Sequence, residues 1–143
     1  MGSLQRRGGL LAVCCLCLPL LAWSRDVGTV TLVDHRGADF QLASLRGSVV
    51  LLVFGFTCPV EMARVSAALR ELQAAQQPVQ AVFVTVDPGR DSPDVIGAYL
   101  ENFQPGIIGL TGTAENLDAV ADHYRVKRVP QPGVGGDYLV DHG

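Results

Sequence analysis

The chain has no basic run. Eleven Lys and Arg against 14 Asp and Glu give a net charge of −3 over 143 residues, so the electrostatic footprint of a nucleic-acid binder is missing. Repeats of 20 to 50 residues and low-complexity tracts are also missing, which excludes solenoids and arrays. The apolar stretch Leu10 to Trp23 is short for a membrane span. Cysteine is scarcer than its count suggests. Cys14, Cys15 and Cys17 fall in the first 24 residues, and beyond them Cys58 stands alone.

Those first residues read as targeting sequence. Arg6 and Arg7 precede the apolar run, and Ala22-Trp23-Ser24 places small residues at both cleavage-specifying positions. The length and Pro19 suit a signal-peptide core better than an uncleaved membrane anchor, the rival reading. Val13 fits poorly before a lipidated Cys14. Residues 1–24 are thus a signal peptide or anchor, and 25–143 form one folded domain of ordinary size. In an oxidising compartment a lone Cys58 cannot close an internal disulfide, so a ligand, a catalyst or an intermolecular bond is expected.

The domain is organised around Val49 to Leu72. Val49 to Phe56 is an unbroken apolar run, as in a fully buried strand of a parallel sheet. Met62, Val65, Leu69 and Leu72 then mark one face of a helix, and Pro59 suits its first position, where the missing N–H costs nothing. Cys58 sits between strand and helix, where unpaired N–H groups and the helix dipole favour thiolate. An inert buried cysteine is the plainer alternative.

Around this unit, Val27 to Val33 predicts a strand, Asp34 to Gly37 a turn with His35 as a solvated residue, and Asp39 to Leu42 the return of a hairpin. Val79 to Val86 is a second apolar strand, parallel to the first and central with it. The loop Asp87-Pro88-Gly89-Arg90-Asp91 leaves the same carboxyl edge as Cys58, where open α/β sheets place ligand sites. A salt-bridged turn is the plain reading of Asp87 and Arg90. Ser92 and Pro93 start a helix with Ile96, Tyr99, Leu100 and Phe103 buried. Ile107 to Leu110 is a short strand. Thr113 caps a helix with Leu117, Val120, Ala121 and Tyr124 inward and His123 outward. Arg125 to Gly136 reads as a mobile loop, and Tyr138 to Asp141 as a last strand before His142.

The segments GTVTLVDHRGADFQLASLRGSVVLLVFGFT, CPVEMARVSAALREL, VFVTVDPGRDSPDVIGAYL, IIGLTG and GDYLVDH resemble the Sco/SenC family from about Gly28 to His142. The resemblance implies a thioredoxin-like α/β fold: three layers, with a central mixed sheet preceded by a β-hairpin. It also implies an exported, usually membrane-tethered, copper-binding protein that assists assembly of the copper centre of cytochrome c oxidase. Copper, as Cu(I) or Cu(II), is the implied metal. A subunit of the oxidase or another copper chaperone is the implied partner. The location would be the periplasm or the periplasmic face of the inner membrane, or the intermembrane space of a mitochondrion.

The family binds copper with two cysteines of a CPxxCP turn and a histidine after the DYxVDH strand. Cys58 matches the second cysteine and His142 the histidine, while the first cysteine and about one turn of loop have no counterpart here. The sequence ends one residue past His142, where the family continues with a strand and a helix. With one of the two cysteine ligands lacking a counterpart, copper binding is expected to be impaired. Thiolate and imidazole both suit copper, thiolate favouring Cu(I). Met62 is assigned to the core. Two other functions stay open. One is a thiol–disulfide oxidoreductase or one-cysteine peroxidase with Cys58 as nucleophile and Arg90 beside it. The other is a site-degenerate binding module.

Overall fold

A computed structural model describes residues 26–57, 59–132 and 138–142, with the backbone alone for 59–61, 128–132 and 138–142. The expected leader, 1–24, lies outside the described residues. No described helix is long and apolar enough to cross a membrane.

Two parallel strands, β3 (Val49–Gly55) and β4 (Val79–Thr85), run in register from Val49↔Val79 to Gly55↔Thr85. The helix α1 (Pro59–Ala74) connects them. Next to β4 lies β5 (Ile108–Thr111), also parallel. The hairpin β1 (Thr31–Asp34) and β2 (Asp39–Gln41) adds to β5 in the antiparallel sense, giving the order β2-β1-β5-β4-β3. This mixed sheet is the middle layer. Among the described residues β3 is its edge strand, not a central one, and Val49 is exposed.

Alternation along β4 sends its side chains to two cores. Ala81 and Phe83 join Met62 and Leu69 of α1 and Ile96 and Leu100 of α2 (Pro93–Leu100). Val82 and Val84 join Leu32, Leu110, and Leu117 and Val120 of α3 (Ala114–His123). Both helices start as the sequence predicts. Ser92 Oγ accepts from the Val95 N–H at 3.3 Å and Thr113 Oγ1 from the Asn116 N–H at 3.2 Å.

Four further expectations need correction. Residues Val27–Thr29 form a 3-10 turn, because Asp26 Oδ1 caps it by accepting the Gly28 N–H at 3.0 Å; the strand starts at Thr31. Tyr124 caps the end of α3 and is 46% exposed, its ring 5.8 Å from that of Phe54. Part of the expected loop is strand: β6 (Arg128–Pro132) pairs antiparallel with β7 (Tyr138–His142) in a separate two-stranded sheet. Pro130 and Pro132 hid it, since proline argues against a strand except where its missing N–H is not needed, as in a two-stranded ribbon.

The fourth concerns His35. Its Nδ1 accepts the Gly109 N–H at 3.1 Å, and its own N–H donates to the Gly109 carbonyl at 2.8 Å. It extends the β1–β5 pairing and is half-buried, rather than a solvated turn residue.

Candidate functional site at the carboxyl edge of the sheet

The carboxyl ends of β3 and β4 lie side by side. The Val86 N–H donates to the Gly55 carbonyl at 2.8 Å, carrying the pairing one step past Gly55↔Thr85. Beyond Gly55 come Phe56 and Thr57, and α1 begins at Pro59. Cys58 lies outside the described residues. Its place in the chain, between Thr57 and the first residue of a helix, is the one expected.

The facing loop after β4 is tightly folded. The Arg90 and Asp91 N–H groups donate to the Asp87 carbonyl at 3.2 and 2.9 Å, and the Arg90 guanidinium pairs with the Asp87 carboxylate. The salt-bridged turn is therefore what Asp87 and Arg90 make. Arg90 is thus held by a buried carboxylate of its own loop.

Asp91 was not singled out by the sequence, yet it joins the two strand ends. It is 2% exposed. Its Oδ2 accepts the Thr85 hydroxyl at 2.6 Å and its Oδ1 the Thr57 hydroxyl at 3.3 Å. Thr85 Oγ1 in turn accepts the Asp87 N–H at 2.9 Å. Burial raises the Asp91 carboxyl above the usual aspartate range and the nearby Asp87 charge adds to this, against the two threonine bonds and Arg90. The signal that could have found this group is a threonine ending a mostly apolar strand, six residues before an aspartate. Buried hydroxyls and carboxylates need partners.

The other sequence candidates fare differently. His142 ends β7, its backbone opposite Arg128; its side chain lies outside the described residues. Met62 is 2% exposed within the α1 core, as assigned. Tyr99 packs between the rings of Phe83 and Phe103, a core residue. His123 is exposed, edge-on to Tyr124. Among the described residues no group of three His, Cys, Asp or Glu could hold a metal. A hollow of about 500 Å³ lies elsewhere, along α2 beside the β1–β2 turn, lined by His35, Arg36, Asp94, Gly97 and Glu101 among others.

The profile of one protein family, SCO1/SenC, matches residues 24–143. The chain belongs to the SCO1/SenC family. It is 42% identical over 123 residues to the bovine (Bos taurus) mitochondrial Protein SCO2 homolog, covering 80% of this chain and 46% of that protein. It is 38% identical over 123 residues to Saccharomyces cerevisiae mitochondrial Protein SCO1, covering 80% and 42%. The chain thus spans less than half the length of these relatives. Among solved structures, that of copper-bound Bradyrhizobium japonicum ScoI matches with a TM-score of 0.73 at 34% identity, covering 80% of this chain and 76% of that one. Yeast Sco1 matches with a TM-score of 0.72 at 37% identity, covering 80% and 74%. The fold is the thioredoxin-like α/β fold of these Sco proteins.

Proposed function

We propose that this SCO1/SenC chain carries copper as cargo through Cys58 and His142 and delivers it during assembly of the copper centre of cytochrome c oxidase. The observation that carries the reading is the likeness to copper-bound Sco structures at 34–37% identity. The SCO1/SenC profile spans residues 24–143, Cys58 and His142 included. The helix start favours the thiolate, and thiolate with imidazole is a donor set suited to Cu(I). With one family cysteine lacking a counterpart, binding is weaker than in a three-ligand site.

Competition with a Cu(I) chelator tests the site in the full chain. Cys58→Ala and His142→Ala should each lower Cu(I) affinity by more than about 10-fold, because even losing a second-shell partner costs about 10–100-fold. Equal affinities for the parent and both variants would overturn the reading. Peroxide-dependent sulfenic acid at Cys58 without copper binding would instead favour a thiol enzyme.

We further propose export, with residues 1–24 as a signal peptide cleaved near Ser24. Relatives named as mitochondrial proteins support a location outside the bacterial-type cytoplasm. Mass spectrometry of the mature protein should find an N-terminus near Arg25. An intact Met1 in a membrane fraction would favour the anchor, and in the cytosol would end the export reading.

A further inference from the structure

We infer that Asp91 and Thr57 are positioning residues for Cys58: a buried carboxylate anchored on β4 holds the last residue before the cysteine. This rests on Cys58 being the functional thiol, as proposed above.

The geometry is a relay of three side chains across two strand ends. Thr85 belongs to β4 and is 1% exposed, so its hydroxyl is fixed by the sheet. Its 2.6 Å bond to Asp91 Oδ2 and the 2.9 Å bond it accepts from the Asp87 N–H use it as donor and acceptor at once. Asp91 is further fixed through its own N–H on the Asp87 carbonyl at 2.9 Å. The other oxygen of this immobilised carboxylate meets the Thr57 hydroxyl. Thr57 follows the end of β3 and precedes Cys58, so sheet pairing no longer holds the chain at that point, and α1 has not begun. The side-chain bond takes over where the backbone ladder stops.

A buried carboxylate is a costly way to fill space, since burying its charge opposes folding. Arg90, the nearby cation, pairs with Asp87, so the bonds Asp91 itself makes are to hydroxyls. One of them spans 34 residues to the cysteine turn. At 3.3 Å that contact is at the long end for a hydroxyl bond. The expected effect is accordingly at the low end of what outer-shell partners contribute to a ligand.

Two readouts on the full chain test the inference. The first is the rate of Cys58 alkylation by iodoacetamide, resolved by peptide mass spectrometry so that Cys14, Cys15 and Cys17 do not interfere. The second is Cu(I) affinity by chelator competition. Thr57→Val keeps the shape and removes the hydroxyl; it should slow Cys58 alkylation, because a cysteine released from the helix start loses thiolate character. It should also lower Cu(I) affinity about 10-fold. Thr57→Ser should restore both to near the parental values. Asp91→Ala should match Thr57→Val, and the double variant should be no worse than Asp91→Ala alone, since the two side chains act through one bond. Thr57→Val at the parental alkylation rate, or additive single effects, would overturn the inference. If parent and Cys58→Ala bind Cu(I) equally, the copper reading fails on its own, and the alkylation rates still decide the positioning role.

Discussion

His35 and Gly109 are joined twice, the His35 N–H donating to the Gly109 carbonyl and the Gly109 N–H donating to His35 Nδ1. The backbone half survives any substitution except proline. The side-chain half does not, and it is what satisfies the amide near the start of β5. His35→Ala should lower stability by about 1–2 kcal/mol, the cost of a partly buried amide left without its partner. Urea titration with an unchanged slope and a lower midpoint is the expected signature. An unchanged midpoint would show that water replaces the ring without loss.

Asp34 gives the acid limb of stability its sign. Burial raises its carboxyl, but the N–H groups of Ala38 and Arg36 and the Arg36 guanidinium outweigh that, so the folded value lies below the ordinary 3.8. A carboxyl lowered by folding adds stability that is present above the unfolded value and lost as pH falls through the folded one. Asp34→Asn should therefore be less stable than the parent at neutral pH, with the gap closing as pH drops below about 4. Thermal melts from pH 7 to pH 3 check this; a constant gap would contradict it.

Asp91 carries the opposite sign. Its folded value is raised, so ionised Asp91 opposes folding above that value, and the penalty is relieved as pH falls through it towards 3.8. Asp91→Asn should remove this slope, leaving melts that fall more steeply with acid than the parent's over the same range.

Thr85→Val should be among the more damaging isosteric changes. It takes one hydrogen bond from Asp91 Oδ2 and one from the Asp87 N–H in the interior, each lost bond costing about 1–3 kcal/mol. A loss of about 3 kcal/mol in equilibrium unfolding is expected, against under 1 kcal/mol if Thr85 only fills space.

Gly109→Ala tests how closely α2 lies on the sheet. A Cβ there would stand 2.3 Å from Ile96 Cγ2 and 2.7 Å from Leu100 Cδ1, and both side chains are buried. Overpacking of this kind should cost about 1–3 kcal/mol, seen as a fall in thermal midpoint.

Much of this architecture was legible because its signals are local. The apolar runs at Val49 and Val79, the helix between them and the caps at Ser92 and Thr113 each need only neighbouring residues to form. What was not legible depends on distant pairing. Nothing near His35 tells that Gly109 will present an amide to it, and nothing near Asp91 tells that Thr57 will lie across from it. The prolines of β6 masked a strand by the same rule that usually excludes one. For the candidate site, the sequence supplied Cys58 and His142 through family resemblance, and the structure added the buried network that reaches Thr57, the residue before the first.

The position of β5 between β1 and β4 has a consequence for the order of folding. The β1–β2 hairpin forms from residues a few positions apart, but its place in the sheet is beside a strand more than 70 residues later, as Val33 meets Thr111. Until β5 has settled on β4, the hairpin has no edge to join. Closing so long a loop before any contact rewards it makes this the slow event. The first strand to be made is thus among the last to be seated, and His35 can bond Gly109 only when that wait is over.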